Sequence, residues 1–225
     1  MLLLKPGVTS SKALLGDYEV WFRHACAGLA ELTPVELHAG ERPPSWRGFD
    51  AVLMTGSPLS VVEPVAWMER AADAMLEAAE RVPVLGVCFG HQLLAWRLGA
   101  RVVKNPRGRE LGTQPVRLTA AGRADPLFRG LPALVEVQET HEDVVEAPPP
   151  GATLLAENDF CAVQAFAWGP RIRGVQFHPE MNAASIRYAI RAEQRLEAGA
   201  REALDAGARD TPWGALLLQN FVQAT

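Results

Sequence analysis

The sequence predicts an α/β fold with a mostly parallel central sheet and a mixed or antiparallel extension. In the first half, short apolar runs alternate with segments of helical periodicity. These runs are continuously hydrophobic, as in parallel strands that helices cover on both faces. In the second half, strand-like runs follow one another with little helix between them, which favours antiparallel pairing. We expect one domain over residues 1–225.

Each element of the first half has its own pattern. The predicted strands are MLLLK at 1–5, PVELH at 34–38, FDAVLMTG at 49–56 and VPVLGVC at 82–88. The predicted helices are residues 17–29, 65–82 and 91–99, where apolar residues recur at helical spacing. Residues 40–48 form a predicted loop rich in Gly and Pro.

The second half contains five strand-like runs and two helices. The runs are residues 109–119, 133–141, 153–159, 161–168 and 172–178. A long, charged helix is predicted at 184–208 and a shorter, apolar helix at 213–224. The strongest breaker, APPPG at 147–151, lies between strands of one sheet, so it does not predict a domain boundary.

Composition excludes several classes of protein. The net charge of −4 gives no excess of positive charge for binding nucleic acid or an anionic membrane. No apolar stretch approaches the roughly 18 residues that span a bilayer, and the opening MLLLK is a strand rather than a signal peptide. Cys26, Cys88 and Cys161 lie far apart without CxxC spacing, which is typical of a reducing cytoplasm. We therefore expect a cytoplasmic protein without cofactor or metal.

One cysteine stands on a predicted turn. In GVCFG, Gly86, Cys88 and Gly90 form a G-x-C-x-G pattern between a strand and a helix. This is the thiol version of the nucleophile elbow, a sharp turn that lifts the nucleophile clear of the sheet. The N–H groups of the following helix would stabilise a thiolate and hold a developing oxyanion. The alternative is a packing cysteine, because free cysteine is often buried.

A histidine suited to act as the base follows in GVQFHPE at 174–180. His178 ends an apolar strand-like run, and Glu180 comes two residues later. Polar residues at the carboxyl ends of parallel strands converge on the functional edge of such sheets. His178 would take the proton from Cys88, and Glu180 would orient and stabilise its imidazolium.

These motifs resemble those of the class I, or triad-type, glutamine amidotransferases. GVCFGHQLLA is similar to that family's nucleophile motif, and GVQFHPE to its His–Glu motif. VLMTGSPLSV at 52–61 resembles its oxyanion loop, and THEDVV at 140–145 a segment of the guanosine monophosphate synthetase branch. The resemblance is anchored from about residue 50 to residue 181. It implies a flavodoxin-like three-layer sandwich.

The resemblance also implies roles for individual residues. Cys88, His178 and Glu180 would form the catalytic triad, and the backbone N–H groups of Gly56 and Phe89 the oxyanion hole. The residues implied in holding the amino-acid end of the substrate are Gln92, Thr140, His141, Glu142 and Asp143. Thr140 replaces the commoner serine and Glu142 a small residue, so substrate contacts here depart from the family pattern. For His141, the alternative to a catalytic role is that of a structural, hydrogen-bonding histidine. For Gln92, the alternative is a solvent-exposed residue in the first turn of the helix.

Three functions follow as hypotheses. The first is hydrolysis of the γ-amide of glutamine through a thioester on Cys88, with ammonia passed to a separate synthetase subunit, because the chain lacks an S-G-G-x-D-S motif and a synthetase module. The second is hydrolysis of γ-glutamyl peptides or γ-glutamylamines. The third is a non-catalytic binding or regulatory protein with a vestigial triad.

Overall fold

The computed structural model describes residues 1–42 and 45–224. Pro43 and Pro44, in the predicted loop at 40–48, lie outside the described residues. The strands are β1 Leu2–Lys5, β2 Thr33–Glu36, β3 Val52–Met54, β4 Val84–Val87, β5 Val102–Lys104, β6 Glu110–Leu118, β7 Leu134–His141, β8 Asp143–Val145, β9 Ala152–Glu157, β10 Ala165–Trp168 and β11 Ile172–Val175. The helices are α1 Lys12–Leu15, α2 Tyr18–Ala25, α3 Ala66–Ala78, α4 Phe89–Arg97, α5 Ala120–Ala124, α6 Ala183–Ala192, α7 Ala198–Gly207 and α8 Trp213–Gln223.

Nine strands form one sheet in the order β2-β1-β3-β4-β11-β10-β9-β6-β7. Strands β2, β1, β3, β4 and β11 pair in parallel. From β11 onward every pairing is antiparallel, which confirms the predicted mixed extension. Strands from both halves of the chain share this sheet, and this supports the single domain proposed for residues 1–225. A second sheet, the antiparallel pair β5–β8, was not predicted from the sequence.

The inner parallel strands β1, β3, β4 and β11 are buried on both faces, as their continuous hydrophobicity predicts, whereas the edge strand β2 is partly exposed. Leu2 and Leu4 of β1 belong to an apolar cluster with Met68 of α3 and Leu93 of α4. Their neighbour Leu3 points to the opposite face, into a cluster that includes side chains of α2 and α8. The result is three layers, with helices on both sides of the sheet. None of the described helices has the length and apolarity that crossing a bilayer requires.

The prediction of one long helix over 184–208 is wrong. The helix α6 ends at Ala192 and α7 begins at Ala198. At the break, a Glu193 carboxylate oxygen accepts hydrogen bonds from the backbone N–H and the Nε of Arg195, each at 3.0–3.1 Å. Such local side-chain bonds compete with the helical hydrogen-bond ladder. Because the segment between these helices contains neither Gly nor Pro, the sequence carries no breaker signal there.

A buried lysine fixes the beginning of α2 at the carboxyl end of β1. The Lys5 Nζ lies 2.9 Å from Asp17 Oδ2 and 2.7 Å from Glu36 Oε1. Burial lowers the pKa of Lys5, but hydrogen bonds to Glu19, Glu36 and Asp17 raise it more, so the lysine stays charged. Asp17 also accepts from the N–H of Tyr18 and caps α2. This arrangement places Tyr18 near the carboxyl end of β1.

Candidate active site

The sequence-predicted turn is present between β4 and α4. Cys88 has φ 50° and ψ −100°, a positive φ that non-glycine residues rarely adopt and that often marks a functional site. A side chain on Gly86 would place its Cβ 2.5 Å from the Gly90 carbonyl, and one on Gly90 would lie 2.7 Å from the Met54 carbonyl oxygen. Both glycines are therefore required by close approach of the backbone.

We expect Gly86→Ala to lower the free energy of unfolding by about 2–4 kcal/mol, because the added Cβ meets backbone that cannot rotate away. Gly199→Ala is a matched control: Gly199 lies in α7, and a Cβ there meets nothing within 4 Å. This control should be neutral or slightly stabilising, since alanine favours helix. Urea unfolding measures both. Equal stability of the two variants would contradict the assignment of Gly86 as a close-approach glycine.

Cys88 and His178 line the same cleft, and Glu180 holds the histidine from behind. His178 Nδ1 lies 2.7 Å from Glu180 Oε1, and the glutamate side chain is fully buried. Burial lowers the pKa of His178, but the charges of Glu180 and of a Cys88 thiolate, with hydrogen bonds to both, raise it well above its usual value. The arrangement therefore favours the protonated imidazolium form of His178 beside Cys88.

Three contacts fix His178 and the residue that follows it. Its N–H donates to the Gln138 carbonyl of β7 at 2.9 Å. A Cβ on Gly56 would lie 2.6 Å from His178 Cε1, so the imidazole ring packs directly on this glycine. A Cβ on Gly214 of α8 would lie 2.4 Å from the Pro179 carbonyl oxygen. The helix α8 thus packs directly against the His178–Glu180 segment.

The two residues implied as oxyanion donors both adjoin the triad. Phe89 is the first residue of α4, where the backbone N–H has no intrahelical acceptor. Gly56 contacts His178, and Ser57, which follows it, lines the cleft with Cys88. These positions are compatible with the predicted role of both residues, which stays a prediction.

The residues implied as substrate-binding are divided between the cleft and its surroundings. Thr140 lines the cleft. Gln92 is buried, and its Nε2 donates to the Asp143 carbonyl at 2.8 Å and to Gln176 Oε1 at 3.1 Å. The Asp143 carboxylate is hydrogen-bonded by the Ser60 hydroxyl. Glu142 lies in an ion pair with Arg195, with two contacts of 3.1 Å. Their roles with substrate stay predictions.

The ring of His141 is buried, and both of its nitrogens have partners. These contacts favour a structural role for this residue over a catalytic one. Nδ1 lies 3.0 Å from the Asp143 carbonyl, and Nε2 lies 2.9 Å from Glu110 Oε2 and 3.3 Å from Glu139 Oε2. Glu110, Glu139 and His141 have potential ligand atoms within 4.8 Å of one another, close enough for all three to contact one ion. They are the one such group within residues 1–42 and 45–224. The expectation that the chemistry needs no metal stays a prediction.

The cleft contains residues that the sequence did not single out. It has a volume of about 430 Å³, and its lining, which includes Cys88 and His178, also includes Arg109, Tyr18, Tyr188 and Glu193. In the sequence, Tyr18 is marked only as a residue of the predicted helix at 17–29. Burial raises the pKa of Tyr18, and the negative charges of Cys88 and Glu180 raise it further. No periodicity or motif marks Arg109. It immediately precedes β6, and the pairing of β6 with β7 places it at the cleft.

Comparison with known proteins gives a consistent result. A model of the family described as glutamine amidotransferase class-I matches residues 29–192. A glutamine-hydrolyzing GMP synthase subunit from Sulfurisphaera tokodaii is 37% identical over 136 residues, which cover 60% of this chain and 69% of that protein. The glutamine-hydrolyzing GMP synthase of Thermus thermophilus is 40% identical over 132 residues, or 58% of this chain. The matched region spans only 24% of the length of the Thermus protein.

Solved structures share the fold over nearly the whole chain. A glutamine amidotransferase from Thermotoga maritima has a TM-score of 0.75 at 20% identity, covering 99% of this chain and 96% of that one. A glutamine amidotransferase from Methylobacillus flagellatus has a TM-score of 0.76 at 21% identity, covering 100% and 94%. At these identities the likeness concerns the fold alone.

Proposed function

Because this chain belongs to the class I glutamine amidotransferase family, we propose that it hydrolyses the γ-amide of glutamine through a thioester on Cys88. The observation that carries the proposal is the juxtaposition of Cys88 on its turn with His178 and Glu180. A thiol, a base and an orienting carboxylate are the parts that acyl transfer needs. Their meeting from β4 and β11, neighbouring parallel strands, matches the functional edge of such sheets.

The proposed reaction has two acyl-transfer steps. The Cys88 thiolate attacks the amide carbon of glutamine, and the oxyanion that forms is held by backbone N–H groups, for which Gly56 and Phe89 are the candidates. The His178 imidazolium gives its proton to the departing nitrogen, and ammonia leaves as the carbon–nitrogen bond breaks. His178 then takes a proton from water, which attacks the thioester and releases glutamate. Glu180 stabilises the imidazolium in both steps.

The partner and the location are part of the same proposal. Some relatives are glutamine-hydrolyzing GMP synthase subunits in separate chains, which supports transfer of ammonia from this chain to a separate synthetase subunit. All three cysteines are free, including Cys26 and Cys161, as is usual in a reducing compartment. We therefore place the protein in the cytoplasm.

The test is incubation of the protein with L-glutamine, with glutamate and ammonia measured in parallel. We expect equal amounts of the two products, with asparagine giving neither. Cys88→Ser is the control, because it keeps the shape of the site and removes the thiolate. Absence of glutamate release, alone and with a co-expressed neighbouring synthetase, would contradict the proposal.

A further inference from the structure

Three buried ionisable side chains form a group that the proposed reaction does not use. Glu110 of β6 is 4% exposed, and Glu139 and His141 of β7 are 0% and 3% exposed. They meet because β6 pairs with β7, with Glu110 opposite His141. The described residues that line the cleft include Thr140, between the last two, but none of the three. The group is called the Glu–Glu–His group below.

The orientation of the His141 ring leaves one nitrogen facing two carboxylates. Nδ1 lies 3.0 Å from the Asp143 carbonyl oxygen, which can only accept, so Nδ1 carries the hydrogen. In the neutral ring, the lone pair of Nε2 then faces Glu110 Oε2 at 2.9 Å and Glu139 Oε2 at 3.3 Å. Because acceptors that face one another repel, a cation is needed among them. A second proton on the ring or a metal ion would supply it.

A proton on the ring would leave Glu139 without a hydrogen bond. On Nε2 it serves the shorter contact, to Glu110, and within residues 1–42 and 45–224 neither Glu139 carboxylate oxygen makes a hydrogen bond. The two carboxylates carry two negative charges, of which one imidazolium balances only one. A carboxylate that is fully buried without a partner is costly to the fold. A divalent cation bound to all three side chains would balance both charges and give Glu139 a partner.

The distances within the group fit a bound transition-metal ion. Nitrogen and oxygen ligands lie about 2.0–2.2 Å from such an ion, so neighbouring ligand atoms are about 2.9–3.5 Å apart. The distances from His141 Nε2 to the two carboxylate oxygens, 2.9 and 3.3 Å, lie in this range. Imidazole suits Zn²⁺ and Fe²⁺, and carboxylates suit Mn²⁺, so the mixed donor set favours a divalent transition-metal ion.

The contacts behind these side chains are those that metal ligands usually have. A ligating histidine donates its other ring N–H to a carbonyl or carboxylate, and ligating carboxylates are themselves hydrogen-bonded. His141 Nδ1 has the Asp143 carbonyl. Glu110 accepts from Asn158 Nδ2 at 2.6 Å and from Gln164 Nε2 at 3.0 Å. These partners orient two of the three side chains before an ion binds.

We propose that Glu110, Glu139 and His141 bind one divalent transition-metal ion in a structural site separate from the catalytic triad. The proposal departs from the sequence-based expectation of a protein without metal, but the ion takes no part in acyl transfer. It would join β6 to β7 next to Gln138, whose carbonyl accepts from the His178 N–H. Without the ion, protons occupy its place, so these side chains titrate in the metal-free chain.

Titration of the chelator-treated full chain with Mn²⁺ tests the site by calorimetry. Cys88→Ser is the parent for all variants, because the Cys88 thiolate could itself bind metal. We expect one equivalent of Mn²⁺ per chain, with Zn²⁺ competing for the same site. Glu139→Gln should weaken binding at least about 100-fold, since loss of an outer partner alone costs about 10- to 100-fold. Glu146→Gln is the control: Glu146 is 43% exposed in a surface ion pair with Arg101, and binding should be unchanged.

Thermal unfolding shows whether the variants are folded and whether the ion supports the fold. Glu139→Gln removes a buried charge and keeps the shape, so the metal-free variant should unfold at the temperature of the metal-free parent or above it. Saturating Mn²⁺ should raise the Tm of the parent and of Glu146→Gln but not that of Glu139→Gln. His141→Asn is a second variant, because asparagine keeps a donor for the Asp143 carbonyl and lacks Nε2. It should also lose the Mn²⁺-dependent rise in Tm.

Each result decides for or against the site. Binding of one equivalent that Glu139→Gln and His141→Asn remove and Glu146→Gln preserves would establish it. If the parent binds neither Mn²⁺ nor Zn²⁺, the Glu–Glu–His group holds protons alone and the proposal is wrong. Binding that persists with unchanged affinity in folded Glu139→Gln would place the ion elsewhere and would also overturn it. Glutamine hydrolysis is measured separately, on the protein with Cys88 intact, so these results do not bear on the proposed function.

Discussion

A glutamine analogue with an electrophilic chloromethyl ketone at the γ position should modify Cys88 alone, with one equivalent bound per chain. Cys88 lines the cleft at the beginning of α4 and faces His178, so it has both access and a neighbour that favours the thiolate. The other two cysteines lack these features. Burial raises the pKa of Cys26 to about 11 and raises that of Cys161 above its usual value. Cys26 and Cys161 are 0% and 2% exposed.

Mass spectrometry of digested protein measures the sites of modification. Cys88→Ala should abolish labelling, and Cys161→Ala is the matched control that should leave both rate and stoichiometry as they are. Glutamine should protect Cys88 in proportion to its occupancy of the site. Modification of Cys26 or Cys161 at the rate of Cys88 would show that the nucleophile has been assigned wrongly.

His178→Ala should lower kcat for glutamine by about 10⁴- to 10⁶-fold, the usual effect of removing the base of a triad. Glu180→Gln should have a smaller effect, because the base remains and only its orientation and charge stabilisation are lost. The short contact of 2.7 Å between Nδ1 and Glu180 Oε1 makes that loss substantial nonetheless. Steady-state kinetics of glutamate release measure both variants.

The pH profile distinguishes a catalytic from a merely structural role of Glu180. Since the charge of Glu180 raises the pKa of His178, Glu180→Gln should shift the histidine-dependent limb of the kcat profile to lower pH. Glu180→Asp, which keeps the charge, should shift it less. His24→Ala is a control on the exposed side of α2, and its activity should be unchanged. Activity of His178→Ala within about 10-fold of the unmodified protein would rule out His178 as the base.

Sequence reasoning succeeded where the physical cause is local. The elbow could be predicted because Gly86 and Gly90 flank Cys88 within five residues, and the close approach that requires Gly86 is to Gly90 in the same turn, although Gly90 is required by Met54 of β3. The parallel strands could be predicted because burial on both faces leaves a continuous apolar run. The strands β5 and β8 were missed since each has three residues of which one is charged, so that neither forms a continuous apolar run like that of β3.

The features that could not be predicted from the sequence depend on contacts between segments that are distant along the chain. The helix break at Glu193 involves ion pairs with Arg109 and, through Arg195, with Glu142. His141 meets Glu110 across the β6–β7 pairing, 31 residues earlier in the chain. Arg109 reaches the cleft by the same pairing. A single sequence specifies none of these registers before the sheet is assembled.

The buried group of Glu110, Glu139 and His141 makes the stability of the fold depend on pH. Glu110, Glu139 and His141 would carry one net negative charge if all were ionised, and within the described residues the Glu139 carboxylate has only its 3.3 Å contact with His141 Nε2. Burial raises the pKa of Glu139 from 4.5 to about 7. For His141, burial lowers the pKa, but the carboxylates of Glu110 and Glu139 raise it from 6.5 to about 10.

In both cases the folded chain binds the proton more tightly than the unfolded chain does. The contribution of Glu139 to stability is therefore complete below pH 4.5 and is lost as the pH rises through about 7. The contribution of His141 is complete below pH 6.5 and is lost as the pH rises through about 10. Through these two groups folding takes up protons, so raising the pH through about 7 and about 10 should remove their contributions to the free energy of unfolding, which urea unfolding at each pH measures.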